Sequence, residues 1–415
     1  MGIARGRKGI EFLTNTKNQT PLLMNKYIQD SIRNNLRSVV SGLTVPQQKA
    51  VAEMVRGLFT AGEPILRHLA QYEEKTAKKQ GEKYSYHLGN IDIAEKVSEI
   101  AIRKTKYSVR KRTVIAYDLT DIAKESSKKI EKLTTVFDGS KRRPASGFLL
   151  HGVGIDTLLT KLEVHDNTVY TTNQIRKRIV EEISNKLDHK GIWVFDRGND
   201  DKQFFKYLRQ TAKVEFIARL KENRQVVIKK TGELIQVKHL KPNKYEVYLM
   251  NRNNNKVDTR YVYTLIISNH LEDHEPIRLI SSLPIDTYSS KEFVTIYLER
   301  WGVENIFKRA KTKFYLEKIR VLKYRKFVNL VALIQLAVLV STLTFIRLQQ
   351  STNAVIIGVL MAYRKFIKHK SLSFNLDSFI TFMQQALKPL CLRIDKPPNQ
   401  LNIFSKRALG KLGLF

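Results

Sequence analysis

The chain has 415 residues and carries 73 Lys and Arg against 39 Asp and Glu, a formal net charge of +34. With 42% hydrophobic and 9% aromatic residues it has material for a core, which excludes a disordered tail, and ten Pro and nineteen Gly exclude a collagen or a low-complexity linker. A single cysteine, Cys391, excludes an intrachain disulfide and a Cys-based zinc site, and fits a reducing compartment.

A charge of this size speaks of partners rather than of fold. It points to a polyanion, with DNA or RNA ahead of an anionic membrane surface. The excess is uneven, with 20 Lys and Arg against 4 Asp and Glu in 301–415. The start, MGIARGRKGI, is basic but no apolar run follows it, so no secretory leader is expected. Phe327–Ile346 is about as long as a membrane span, but Asn329, Gln335, Ser341 and Thr342 interrupt it. It is read as a buried core helix, and no membrane partner is expected.

In chain order, residues 1–110 read as a helical, basic domain. Thr44 is placed to cap a helix with Pro46 in its first turn, and Val51, Met54, Val55, Leu58 and Phe59 follow at helical spacing. From Thr113 the texture changes. Thr113–Leu119, Gly147–Val153 and Leu158–Val164 are β-branched and aromatic runs of strand length. Thr171–Leu187 is predicted as a helix capped by Thr172, and Gly191–Phe195 as a short buried strand. Residues 206–283 are strand-rich, with a turn at Asn251-Arg252-Asn253-Asn254-Asn255. Ser289 to about Gln349 is helical, and 354–369 and 376–387 give two more helices before Pro389, Pro397 and Pro398 break the pattern.

Acids stand where these runs end. Asp118 ends the first strand and Asp196 the fourth, and Asp is depleted in strands and costly to bury unless paired or metal-bound. Asp200 and Asp201 read as turn residues. The nine histidines show no ligand spacing, and His68, His87 and His151 are read as structural. A third acid, Glu304, lies in a helical stretch where Tyr297, Arg300, Glu304, Lys308 and Lys311 are expected to form one polar stripe. That stripe is either a solvated ladder of ion pairs or an acid on a cationic ridge that grips phosphates.

The spacing Y-(2)-R-(3)-E-(6)-K of Tyr297, Arg300, Glu304 and Lys311 resembles the signature of the insertion-sequence-four family of bacterial and archaeal DDE transposases. Asp118-Leu119-Thr120 is similar to that family's first-acid motif, and Asp196-Arg197-Gly198 to its second. Asp118 is preferred over Asp121 because only Asp118 has Thr two residues on. The resemblance covers about 113–330 in detail.

It implies an α/β fold, a ribonuclease-H-like mixed sheet with a β-rich insertion, flanked by helical N- and C-terminal domains. The expected segments are 1–110 for DNA binding, 111–205 for the first part of the core, 206–283 for the insertion, 284–350 for core completion and 351–415 for a helical region contributing to dimerisation. Asp118, Asp196 and Glu304 are the expected catalytic acids, holding two Mg²⁺ ions that Mn²⁺ can replace. Tyr297, Arg300, Lys308 and Lys311 are the expected DNA contacts. Trp193 and Trp301 are read as core residues, with stacking on an extruded base as the alternative. The implied partners are double-stranded DNA, as terminal inverted repeats and target, and a second copy of the chain. The implied setting is the cytoplasm of a prokaryote, at the nucleoid.

Overall fold

In a computed structural model the described residues are 20–392, apart from 72, 74, 128, 139–140, 251–256 and 270–275. The basic N-terminal start, the expected turn at 251–255 and Pro397 and Pro398 lie outside the described residues.

The first described elements are helices α1 (Thr20–Val39), α2 (Val45–Ala61), α3 (Leu66–Leu69), α4 (Ala77–Asn90) and α5 (Ala94–Lys106). Four strands follow: β1 (Val114–Ala123), β2 (Thr134–Asp138), β3 (Arg143–Ile155) and β4 (Leu158–Val164). Then come α6 (Thr172–Lys186), β5 (Ile192–Phe195), α7 (Lys202–Gln210) and β6 (Glu215–Arg219). Five more strands succeed them, β7 (Gln225–Ile228), β8 (Leu234–Gln236), β9 (Asn243–Leu249), β10 (Tyr263–Ser268) and β11 (Ile277–Ser281). The last described elements are α8 (Ser290–Leu298), α9 (Trp301–Lys313), α10 (Tyr324–Gln350), α11 (Ala354–His369) and α12 (Leu376–Leu392). It divides into two compact units, 1–93 with 309–415 and 94–308.

The first unit is helical. Thr44 caps α2, its backbone N–H bonded by the Gln47 side chain at 3.0 Å, and Gly62 closes the helix at φ +78°. The centre is α10, whose most apolar window is 83% buried inside the protein. It packs against α1, α2, α4, α11 and α12. Asn329 and the hydroxyls along its apolar run are hydrogen-bonded where they lie. Asn329 donates to the carbonyls of Leu88 and Ile91, each at 3.0 Å, while Ser341, Thr342 and Thr344 each bond the carbonyl four residues back. The stretch that is long enough to cross a membrane is thus the core helix of this unit.

Among the described residues, the second unit is built on one mixed sheet of eleven strands. β3 lies antiparallel to β1, β4 antiparallel to β3, β5 parallel to β1, and β6 parallel to β5. The order β4-β3-β1-β5-β6, with helices crossing between the parallel strands, is the ribonuclease-H-like arrangement. β2 adds to the outer edge of β3 alongside 143–147, next to the part that β4 covers. The sheet then continues outward from β6 through β11, β10, β9, β7 and β8, all antiparallel. β6 is therefore the fifth core strand, and the insertion begins after it rather than at 206. β1 also runs on to Ala123, so Asp118 is not at its end.

The two faces of the core strands are dressed differently. Ile115, Tyr117, Val153, Trp193, Phe195 and Phe216 point to one face and meet Ile175, Ile179 and Ile183 of α6 and Phe204, Phe205 and Leu208 of α7 in a single core. The other face carries small residues at Ala116, Gly152 and Gly154. There α9 lies close: a Cβ on Gly152 would fall 2.1 Å from Phe307 Cζ, and one on Gly154 3.0 Å from Ile306 Cδ1. The cap of α6 is Thr171 rather than Thr172, bonded reciprocally with Gln174.

Candidate active site

Tyr117 pairs with Phe195 in the last parallel register of β1 and β5, so the residues that follow, Asp118 and Asp196, leave the paired strands side by side. β5 stops there. Asp196 opens a turn of 3₁₀ helix over Arg197–Asn199, while β1 continues against β3. Asp121 stands three residues further on, opposite Leu149, on the alternate side of the strand.

Glu304 comes from α9, which the glycines of β3 bring down onto the sheet. The link between acids is Arg300. Its guanidinium lies 3.0 Å from Asp118 Oδ2 and 2.7 Å from Glu304 Oε1, with the Arg300 side chain 9% exposed and Glu304 50%. The other Asp118 oxygen accepts the Leu119 N–H at 2.8 Å. Burial pushes the Asp118 carboxyl up to about 6; Arg300 opposes the rise, and the charges of Asp196 and Glu304 add to it. Asp118 thus feels the charge of both other acids, and one guanidinium between it and Glu304 offsets part of that repulsion.

The expected single polar stripe is not formed. The helix breaks at Glu299 and Arg300, between α8 and α9. Tyr297 ends on α8 and is 3% exposed, with the Arg300 guanidinium 5.8 Å from its ring centre. As placed, Tyr297 backs Arg300 and does not face solvent. Lys308 is exposed one turn beyond Glu304. Lys311 lies in the part of α9 grouped with the first unit and pairs with Glu317 at 3.2 Å. Trp193 is fully buried against Phe195, which removes it as a stacking surface for a base; Trp301 is 50% exposed.

The sequence alone does not single out the residues around Asp196. Asn199, 4% exposed, donates its amide to Asp196 Oδ1 and accepts Arg176 Nη1 at 2.7 Å. Arg176 is 5% exposed on α6 and also bonds Asn173 at 2.8 Å. Its guanidinium lies 3.7 Å from the centre of the Phe204 ring. One signal in the sequence points to it: Arg176 stands at an apolar position of its helix, one turn before Ile179 and Val180. Asp200 is likewise more than a turn residue. Its buried carboxylate pairs with Arg224 and accepts the Lys221 N–H at 3.0 Å, whereas Asp201 caps α7 through Gln203 N–H at 2.9 Å. Behind β1, the Tyr117 hydroxyl bonds His151 at 2.7 Å, and His151 reaches His165 at 3.3 Å. Burial, then His165 and Arg178, pushes His151 down to about 3, so it is neutral and structural.

A family model described as "Transposase DDE domain" matches residues 109–340, more than half of the chain and inclusive of all three acids. The chain belongs to the transposase DDE domain family. No curated protein matches it. Seven chains of solved structures match, among them the cryo-EM structure of the piggyBac transposase synaptic complex with hairpin DNA. That chain is 12% identical, with 94% of this chain and 84% of the other covered and a TM-score of 0.47.

DDE transposase domains use divalent metal ions. The donor set of this DDE domain suits such an ion in kind, because carboxylate oxygens are the ligands that small hard cations prefer. The upward displacement of Asp118 by burial and by its two acidic neighbours marks a cluster that a cation would stabilise. Among the described residues, no three acidic, His or Cys side chains form a ready metal-holding group. Arg300 lies between Asp118 and Glu304 instead.

Proposed function

We propose that the chain is an active cut-and-paste transposase of the insertion-sequence-four type, cleaving DNA at the terminal inverted repeats of its own element and joining the freed ends to target DNA. The observation that carries this reading is the adjacency of Asp118 and Asp196 just past the parallel register of β1 and β5, with Glu304 tied to Asp118 through Arg300.

In this reading Asp118, Asp196 and Glu304 hold two Mg²⁺ ions, or Mn²⁺ in their place. When bound, such ions make a water or 3′-hydroxyl more acidic and stabilise the leaving oxygen. The protein's own groups bind and orient. Lys308 and Lys311 contact phosphates of the element's end, and Arg300 joins them once it leaves its carboxylate partners, with Tyr297 as its backing ring. The bond changes balance: hydrolysis leaves a 3′-hydroxyl and a 5′-phosphate, and attack by that hydroxyl on a target phosphodiester exchanges one ester for another. The net charge of +34 supports a nucleic-acid partner. The helices of 1–110 read the inverted repeats, and two copies of the chain bring the two ends together. The protein acts at the nucleoid, in the cytoplasm of a prokaryote.

The test is cleavage of the chain's own gene, carried with its flanking DNA, by wild type and Glu304→Ala with and without Mg²⁺. Metal-dependent cuts at paired inverted sequences, lost in the variant, are expected. Tight binding without a cut under any metal would instead mark a transposase-derived DNA-binding protein.

A further inference from the structure

We propose that Asn199 and Arg176 aim the Asp196 carboxylate, and so act as positioning residues for cation binding at the acid cluster. The inference rests on the reading of Asp196 as a metal-holding acid, and extends it to two residues that touch neither metal nor DNA.

The orientation of the Asn199 amide is fixed by chemistry. A guanidinium has only donors, so the Asn199 atom 2.7 Å from Arg176 Nη1 must be the carbonyl oxygen. The NH₂ end then faces Asp196 and donates to Oδ1. Arg176 in turn is held on three sides, by Asn173 at 2.8 Å, by Asp201 at 3.4 Å and by the face of Phe204. Burying a guanidinium is costly unless it is paired, and this chain has abundant exposed positions for Arg. Its place under Asp196 therefore calls for a role that a surface Arg could not fill.

The interposed amide makes sense of the arrangement. Arg300 pairs directly with Asp118, which sets a positive charge where a cation would bind. Around Asp196 the guanidinium stands one residue back, and a neutral amide delivers its orienting effect. Asn199 thus fixes the rotation of the carboxylate without supplying a competing charge, and leaves Oδ2 the freer oxygen. Gly198 contributes space: a Cβ there would lie 3.2 Å from Oδ2 and 3.3 Å from Oδ1, crowding both. Outer-shell donors of this kind are known to govern metal affinity through the ligand they hold.

The experiment is a titration of the full chain with Mn²⁺ alone, read by the paramagnetic resonance of free Mn²⁺, for wild type, Asn199→Ala, Asp196→Ala and the double variant. Asn199→Ala is expected to weaken Mn²⁺ binding by about tenfold or more. Its melting temperature should fall modestly, because Arg176 loses a buried acceptor, while its affinity for DNA should stay that of wild type. The double variant should bind no more weakly than Asp196→Ala, because the amide acts only through that carboxylate. If Asn199→Ala binds Mn²⁺ like wild type while Asp196→Ala does not, the inference is overturned and Asp196 keeps its role. If Asp196→Ala itself binds like wild type, the reading of the acids fails and takes the inference with it. Should Asn199→Ala not fold, Arg176→Met reads the same link, since its side chain can donate to neither Asn199 nor Asn173; an unchanged Mn²⁺ affinity there overturns the inference too.

Discussion

Gly152 stands directly opposite Asp118 in the antiparallel pairing of β1 and β3, and the ring of Phe307 fills the space that a side chain at 152 would need. The helix that carries Glu304 reaches the acid cluster because the strand beneath it has no Cβ at that point. Gly152→Ala should therefore act at a distance from the carboxylates. Overpacking of this kind costs about 1–3 kcal/mol, visible as a lower denaturation midpoint, and Glu304 should be displaced with it. We expect metal-dependent cleavage to fall while DNA binding persists. Normal cleavage with a normal midpoint would show that α9 does not depend on the glycine.

Arg300 pairs with both Asp118 and Glu304, so it competes with a cation for the same oxygens. Arg300→Ala should bind Mn²⁺ alone several-fold more tightly than wild type and bind DNA more weakly. The salt dependence of DNA binding should flatten by about one unit of slope, the change that follows when one phosphate is no longer neutralised. Weaker Mn²⁺ binding in this variant would recast Arg300 as an organiser of the acids rather than their resident counter-ion.

The buried Asp200–Arg224 pair joins the loop after β5 to the start of the insertion. Their side chains are 0% and 5% exposed. Arg224→Met leaves a buried carboxylate without its partner, a change that costs about 3–5 kcal/mol. Equilibrium unfolding in urea measures it, and a loss below about 1 kcal/mol would place Asp200 in a wetter setting than its burial implies.

Lys161, buried on β4, is ringed by Glu95 at 3.3 Å, Glu163 at 3.5 Å and Glu182 at 2.8 Å. Burial pushes the Glu182 carboxyl up, but Lys161 and Lys186 outweigh it and hold it at about 2. A carboxyl held low in the fold stabilises it above the ordinary glutamate value of 4.5, and that contribution fades as pH falls from there toward 2. Glu182→Gln should thus cost on the order of 1 kcal/mol at pH 7, the partial exposure of the cluster screening the rest. The gap to wild type should be unchanged at pH 5 and narrower at pH 3. A gap constant down to pH 3 would mean that packing, not charge, is what the substitution removes.

Asp118→Ala should abolish cleavage and Asp121→Ala should spare it, because Asp118 alone directly follows the register that ends beside Asp196. Gel-resolved cleavage products decide the matter, and the reverse result would move the first acid to Asp121.

Much of the second unit is legible in the chain. β1, β3, β4, α6 and β5 each carry a period or an apolar run suited to their length, and Asp118 and Asp196 interrupt that pattern as polar residues directly after buried ones. The break at Glu299–Arg300 is not legible, since Tyr297 to Glu304 is made mostly of residues a helix accepts, and the turn is what allows Arg300 to reach Asp118. β6 falls within the expected insertion because local sequence does not reveal which neighbour a strand will choose. Asn199 and Arg176 escape a sequence reading for a related reason: they stand 23 residues apart and only the crossover of α6 brings them together.

The insertion is not an appendage. β11 is hydrogen-bonded along β6, so the segment covers what would otherwise be the open edge of the core sheet. Excising 221–283 would bare a row of backbone donors and acceptors and invite aggregation. The β7–β8 hairpin, by contrast, lies at the far margin of the sheet. Among descendants of this gene, additions and losses should therefore collect at that outer hairpin, while the strand that borders the core stays as old as the core itself.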